Sequence, residues 1–188
     1  MTQETIPRRR TMAIVTIYPF GVLLVGVALN LFVFGVVPAA VALPSVETIY
    51  ALTIAGVLLI INHTWLMTTT ELTRVRYNMF ASPEEWSASG ISPDDAPREG
   101  LRQLERRHNT HRNTTENTIY FIFLALIFVL VSPTSLAALV WIIGFPIARL
   151  GYTYSYISGR VSARGLMMSL SLLAIYGMAS YLVISLFL

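Results

Sequence analysis

Residues 105–117 read ERRHNTHRNTTEN and run straight into the apolar stretch of residues 118–131. Charge at the mouth of a membrane span is costly, and it usually persists where it serves a ligand, a partner or a network that specifies the fold. Arg112, Asn113 and Glu116 are expected to share one side of a helix, because residues three or four positions apart are neighbours on its surface. That polar side, mixed in charge, suits a small zwitterionic molecule at the membrane surface.

The composition indicates an integral membrane protein. Of the 188 residues, 55% are hydrophobic and only 12% are charged, and the mean hydropathy is +0.64. A soluble domain of this size does not have such a composition. The absence of cysteine excludes disulfides, thiolate metal sites and a cysteine nucleophile.

Five apolar segments predict an all-α membrane fold, because backbone polar groups in lipid must be satisfied within the segment itself. Each segment approaches or exceeds the ~20 residues that span the hydrocarbon as a helix. The segments cover residues 11–37, 46–70, 117–131, 136–158 and 162–188. The third is short, so its helix is expected to begin earlier, within the polar residues 105–116. Residues 77–104 form the one long polar loop.

The arginines predict the orientation. All thirteen basic residues are arginine, and twelve of them precede the first segment, lie between the second and third, or lie where the fourth segment ends and the fifth begins. Five spans place these twelve on one side, which the positive-inside rule makes cytoplasmic, with the C-terminus outside. A signal peptide cleaved after residues 40–42 is the alternative, although its apolar core would exceed the usual length. The lack of a C-terminal retention signal favours a prokaryotic cell membrane.

The fourth segment carries a polar stripe made of Arg149, Tyr152 and Tyr156, spaced three and four apart. A buried Arg149 needs an acceptor, and Glu116 on the preceding helix is the expected one. The alternative to a ligand site is a structural ion pair with interfacial tyrosines.

The three histidines predict no metal or haem site. His108 and His111 lie near the start of the third helix, whereas His63 is expected deep in the membrane, well away from them. His63 and its neighbour Asn62 are expected to make hydrogen bonds between helices or subunits.

Three separated motifs resemble those of one known family, the membrane-associated proteins in eicosanoid and glutathione metabolism (MAPEG). ER at 105–106 with HRNTTEN at 111–117 resembles the motif of the family's second helix, and ARLGYTYSY at 148–156 resembles its third. RVR at 74–76 and FASPE at 80–84 are similar to the end of its first helix and the following loop. The likeness covers about residues 46–188 and is greatest for the microsomal glutathione transferase and prostaglandin E synthase branch.

The resemblance implies a four-helix bundle over residues 46–188, preceded by an additional transmembrane helix within residues 1–45, and assembled as a homotrimer. Glutathione, or a related low-mass thiol, would bind between subunits near the cytoplasmic face as the co-substrate. Hydrophobic electrophiles would reach it from the bilayer. The residues implied to line the thiol site are Arg74 or Arg76, Arg112, Asn113, Glu116, Arg149, Tyr152, Tyr156 and Arg164.

The same resemblance implies roles for these residues. Arginines would hold the glutathione carboxylates through paired hydrogen bonds, and Glu116 would take the amino group or orient an arginine. Arg164 and Tyr156 would be catalytic. Arg164 would stabilise the thiolate, and Tyr156 would contact the peptide or cysteine portion. The implied activity is thiol transfer or peroxide reduction.

Four positions depart from the family pattern. Asn109, Tyr152, Gly165 and Met168 stand where some relatives carry arginine, histidine, serine and tyrosine, so the thiol-binding residues are better kept than those nearest the chemistry. This argues against prostaglandin synthesis. Two further classes stay open: a non-catalytic member that binds lipid or a partner protein, and a small transporter or complex subunit with Asn62, His63 and Arg149 as a polar path. No nucleic-acid partner is expected.

Overall fold

The computed structural model describes residues 8–188, and the described chain is helical with no strands. Five helices are long and apolar enough to cross a membrane, which confirms the predicted all-α membrane fold with an additional N-terminal helix. A short helix, α3, lies in the polar loop between the second and third spans. The elements are α1 (Arg8–Leu29, continued by a π-helical turn, Asn30–Phe34), α2 (Val46–Arg76), α3 (Pro83–Ser89), a 3-10 turn (Pro93–Asp95), α4 (Arg98–Leu130), α5 (Ser135–Ile157) and α6 (Val161–Ser185).

Local sequence explains the polar loop. Ser82 Oγ accepts a hydrogen bond from the Glu85 backbone N–H, while the Glu85 side chain accepts one from the Ala81 N–H at 2.8 Å. These two bonds resemble a capping box, with the difference that Glu85 bonds to Ala81, one residue before the N-cap Ser82, and they start α3. Gly90, with φ of 71°, ends the helix in the left-handed conformation that glycine adopts without steric cost. The loop is therefore a folded connection.

The third span begins earlier than its apolar residues do, as predicted, but it also begins before the predicted range of residues 105–116, within what was expected to be loop. α4 starts at Arg98 and has 33 residues, so it is about 50 Å long, well beyond the ~30 Å of hydrocarbon. α2 has 31 residues and packs against α4. The end of α2 and the start of α4 therefore extend together past the apolar layer. We call this side of the bundle, which also holds the α5–α6 turn, the arginine-rich end.

α5 lies at the centre of the bundle, where it contacts α2, α4 and α6. Its buried side chains interlock with those of α4 and α6. The rings of Phe121 and Phe145 stack with centroids 4.2 Å apart, and the ring of Phe128 meets that of Tyr181 edge-on at 5.1 Å. Burial of these aromatic rings fixes the positions of α4, α5 and α6 relative to one another.

The additional helix α1 packs against α6 and is tied to the bundle by one fully buried side chain, Asn30. The Asn30 amide donates to the Gly177 carbonyl at 2.8 Å and to Ser180 Oγ at 3.0 Å. Its carbonyl accepts from the Trp141 indole N–H at 2.9 Å. Close approach is possible because Gly26 faces Gly177, where an added Cβ would lie 3.3 Å from backbone atoms. α1 is thus hydrogen-bonded to both α5 and α6.

Candidate functional site

Arg149 is the polar centre of the bundle. Its side chain is completely buried. One terminal nitrogen donates to Asn113 Oδ1 at 2.8 Å and to Thr114 Oγ1 at 2.9 Å, both on α4. The other donates to Ser171 Oγ at 3.3 Å and contacts the sulfur of Met168 at 3.5 Å, both on α6. One guanidinium therefore links three helices through neutral partners.

The prediction that Glu116 is the acceptor for Arg149 is wrong. Glu116 is exposed, and the ion pairs found within residues 11–188 join only Arg74 to Glu71 and Arg102 to Glu99. Glu116 lies two residues beyond Thr114, which places it about 160° around the helix from the contact of Thr114 with Arg149. The structural ion pair offered as the alternative to a ligand site is therefore also absent from the described residues. Arg149 keeps a buried charge without a carboxylate.

A chain of four side chains, two tyrosine rings between two guanidiniums, leads from Arg149 to the arginine-rich end. The Arg149 guanidinium lies 4.2 Å from the ring centroid of Tyr152. The Tyr152 ring meets that of Tyr156 edge-on at 5.6 Å. The Arg164 guanidinium then lies 4.9 Å from the Tyr156 centroid. The structure thus brings together four predicted site residues, with Arg149 buried and Arg164 half-buried.

A second group of predicted site residues lies on the outer side of α4. Arg112 is exposed and donates to Asn109 Oδ1 at 2.8 Å. It lines a pocket of about 370 Å³ between α2 and α4, together with Met67, Thr70, Glu71, His108 and His111. Arg74 is ion-paired to Glu71 and so belongs to the same wall.

Arg76, the alternative to Arg74, faces a different pocket. This pocket, of about 450 Å³, is lined by residues of α2 and α4 near the arginine-rich end: Thr69, Leu72, Thr73, Arg76, Tyr77, Glu99, Gln103 and Arg107. None of these residues lines the Arg112 pocket. Within one chain, Arg74 rather than Arg76 thus shares its surroundings with Arg112.

The prediction that His63 lies well away from the other two histidines is also wrong, because His63 contacts His111. His63 Nδ1 lies 3.4 Å from His111 Nε2, and the ring centroids are 5.4 Å apart. His63 and His111 also line an apolar pocket of about 530 Å³ that runs down between α2 and α4, past Leu59, Leu66 and Ile122. In the part of the chain that the structure describes, no three histidine or acidic side chains are grouped as a metal site would require.

Asn62 is 1% exposed, and both its amide nitrogen and its carbonyl oxygen are buried without a hydrogen-bond partner among residues 11–188. In this part of the chain Asn62 therefore forms none of the predicted interhelical hydrogen bonds, whereas His63 has one with His111. The predicted bonds between subunits stay a prediction. Thr153 on α5 is likewise buried with its hydroxyl unpaired in this region.

The four departures from the family pattern have distinct surroundings. Asn109 accepts from Arg112, Tyr152 lies against the Arg149 guanidinium, and Met168 places its sulfur on the same guanidinium. Gly165 is exposed, and an added Cβ would meet nothing within 4 Å. Of the two missed partners, Ser171 carries a sequence signal, since it is a small hydroxyl residue on an otherwise apolar face of α6, whereas Thr114 lies within the polar stretch of residues 105–117 and nothing sets it apart.

Comparison with known proteins gives one finding. A model of the MAPEG family matches residues 48–184, which is more than half of the chain and runs from the first turn of α2 to the last turn of α6. No curated protein matches the chain. α1 lies outside the matched region, as the additional helix would.

Proposed function

Because this chain belongs to the MAPEG family, we propose that it is a membrane-bound transferase or peroxidase that uses glutathione, or a related low-mass thiol, against hydrophobic electrophiles. Family membership supports a membrane glutathione transferase or a related function. The observation that carries the proposal within this chain is the buried Arg149, whose guanidinium has no carboxylate partner in the described residues.

An uncompensated cation inside a bundle favours an anionic ligand. Burying a charge costs several kcal/mol unless it is paired, and the partners of Arg149 are amide, hydroxyl and thioether groups. Its Nε–H is buried and unpaired within residues 8–188. A thiolate or carboxylate near the Arg149–Arg164 chain would receive favourable interaction from both guanidiniums. The geometry therefore supports binding of an acidic thiol peptide.

Arg164 is the proposed thiolate-stabilising residue. A free thiol has a pKa near ~8.5, and lowering it by about two units requires roughly 2.7 kcal/mol of preferential binding to the thiolate. A half-buried guanidinium at the edge of an apolar bundle can supply that interaction. Tyr156, whose ring packs on Arg164, would contact the cysteine portion of the ligand. Arg149 would act on the same anion from farther inside.

The chemistry requires only the thiolate and an electrophile. In conjugation, the sulfur forms a bond to an electrophilic carbon. When a group is displaced, that group departs with the electron pair of the broken bond. When a double bond is attacked, its electron pair moves to the neighbouring carbon, which then gains a proton. In peroxide reduction, the sulfur takes the terminal oxygen, the O–O bond breaks, and the alkoxide gains a proton. A second thiol then displaces the hydroxyl of the sulfenic acid, yielding a disulfide and water.

We also propose a homotrimer with the thiol site between subunits. Arg112 and Glu116 are exposed on α4. Arg149 and Tyr152 belong to α5 and are buried inside the bundle. A ligand that reaches both groups is best accommodated where a neighbouring subunit covers the outer face. Arg74, Arg112, Asn113 and Glu116 would then hold the glutathione ends. The arginine-rich end is proposed to face the cytoplasm of a prokaryotic cell.

The direct test is glutathione binding to the detergent-purified protein by isothermal titration calorimetry. We expect saturable binding that Arg112→Ala weakens at least tenfold, because a charge-assisted pair contributes roughly 1.5–3 kcal/mol. Arg102→Ala is the matched control, since Arg102 is exposed and paired with Glu99 away from the pocket. No binding at millimolar glutathione, or of any other low-mass thiol, would contradict the proposal.

A second candidate is a non-catalytic member of the family that binds lipid. Gly165 and Met168 supply no hydroxyl group near Arg164, and the apolar pocket of about 530 Å³ offers room for a lipid chain. Arg164→Ala separates the two functions when turnover with model electrophiles and peroxides is measured. Loss of turnover with unchanged thermal stability supports the enzyme. A wild type that shows no turnover, and in which Arg164→Ala changes nothing while lipid binding is measurable, supports the lipid-binding role. Turnover that Arg164→Ala leaves unchanged contradicts the role given to Arg164.

A further inference from the structure

We propose that the pocket between Arg76 and Arg107 is a binding site for the phosphate of an anionic phospholipid, separate from the thiol site. The pocket lies between the end of α2 and the start of α4 and measures about 450 Å³. Both guanidiniums line it, and Tyr77 adds a phenol. None of the residues that touch Arg149 or line the Arg112 pocket takes part in it.

The two arginines lack an anionic partner within residues 8–188. The Arg76 guanidinium contacts only the face of Tyr77, 5.6 Å from its centroid, and neither Arg76 nor Arg107 forms an ion pair in this part of the chain. One terminal nitrogen of Arg107 donates to the backbone and side-chain oxygens of Gln103 at 2.9 and 3.0 Å. Its Nε–H is buried and unpaired there. The two guanidiniums thus keep N–H groups that have no anionic acceptor in this part of the chain.

The single carboxylate in the pocket wall does not neutralise this charge. Glu99 accepts from Arg102 at 2.6 Å and from the Gln103 side chain at 2.7 Å. Its two oxygens are therefore occupied by partners on its own helix. The net charge that faces the pocket is positive, and guanidinium forks match the paired oxygens of a phosphate.

The walls of the pocket are firmly packed. An added Cβ at Gly100, on α4, would lie 2.8 Å from the Tyr77 side chain, so the absence of a side chain at this position lets the end of α2 close on α4. Tyr77 is held by that contact, and Arg76 is held against Tyr77. The pocket is thus formed before any ligand arrives.

The neighbouring surface selects a lipid rather than a free anion. Leu72 lines the pocket and is 61% exposed. Apolar surface on α2 therefore borders the cationic pocket. A phospholipid satisfies both features, with its phosphate on the guanidiniums and an acyl chain along Leu72. Basic groups at this level of a membrane interact favourably with anionic lipid headgroups.

The test titrates lipids into the detergent-solubilised, full-length protein and follows the melting temperature. Phosphatidylglycerol is expected to stabilise the wild type more than phosphatidylcholine does. Arg76→Gln and Arg107→Gln should each weaken the phosphatidylglycerol response about fivefold in apparent affinity, which corresponds to ~1 kcal/mol per arginine. Their responses to phosphatidylcholine should stay unchanged, which also shows that the variants fold.

Three controls decide the outcome. Arg160→Gln, which changes an exposed arginine at the same end that does not line the pocket, should have no effect on the phosphatidylglycerol response, and an equal loss there would overturn the proposal in favour of unspecific charge. Inorganic phosphate that stabilises the wild type as well as phosphatidylglycerol does would overturn the lipid assignment. Arg107→Gln should retain glutathione affinity, and a loss would assign the pocket to the thiol site instead. A wild type that binds phosphatidylglycerol but no thiol would refute only the proposed enzyme.

Discussion

Replacing Asn30 by leucine is expected to lower the free energy of unfolding by about 3–5 kcal/mol. Asn30 makes three buried hydrogen bonds, to the Gly177 carbonyl, to Ser180 and from Trp141. Within membranes each such bond contributes on the order of 0.6 kcal/mol. The substitution also leaves the buried Trp141 N–H unpaired, which costs a further ~1–3 kcal/mol. Leucine has the same branched skeleton as asparagine but larger terminal groups, so overpacking at this fully buried position adds to the loss.

A double-mutant cycle isolates the orphaned donor. Unfolding of Asn30→Leu, Trp141→Phe and the double variant is followed by circular dichroism in mixed detergent micelles. The double variant should lose about 1–2 kcal/mol less than the two single losses together, because the phenylalanine has no N–H to strand. Phe32→Leu, at an 85% exposed position on the same turn, is the control. An Asn30→Leu protein within about 0.5 kcal/mol of the wild type would refute this account of how α1 is held.

Two further substitutions test the packing described above. Arg149→Lys should destabilise the protein more than Arg149→Met, because lysine keeps the buried charge and loses the fork that binds α4 and α6. Thermal unfolding measures both losses. Equal losses, or a larger loss for Arg149→Met, would contradict the conclusion that the Arg149 charge has no carboxylate partner. Gly177→Ala should cost roughly 1–3 kcal/mol, since its Cβ would lie 2.5 Å from the Trp141 ring. Gly56→Ala, where a Cβ meets nothing within 4 Å, is the control, and a similar loss there would contradict the steric explanation.

The sequence was sufficient for the five helices that can span a membrane, because hydropathy determines which segments can cross a bilayer. It also predicted that the third helix begins before its apolar residues do. The exact start at Arg98 was not predicted, because residues 98–104 carry no hydrophobic signal. That extension depends on packing against the equally long α2, a tertiary interaction that no local pattern contains.

The site was only partly predictable. The alignment of Arg149, Tyr152 and Tyr156 follows from helical spacing alone, and the structure keeps it. The Glu116 prediction relied on charge complementarity and ignored which side of α4 meets α5. The histidine prediction treated α2 as ending near residue 70. His63 in fact lies as far from Arg76, at the end of α2, as His111 lies from Arg98 at the start of the antiparallel α4. Equal distances from adjacent ends bring the two rings to one level.

The uncompensated charge of Arg149 makes membrane voltage a variable of this site. A unit charge that crosses the full bilayer changes its energy by about 2.3 kcal/mol per 100 mV, and Arg149 lies well inside a spanning helix. An anion that enters from a cytoplasmic arginine-rich end and crosses a third of the field gains roughly 0.8 kcal/mol at 100 mV, about fourfold in affinity. Measurements in detergent therefore report the protein at zero voltage. Measuring thiol affinity in vesicles with and without a membrane voltage gives this change in affinity directly. Equal affinities would place the bound anion outside the transmembrane electric field.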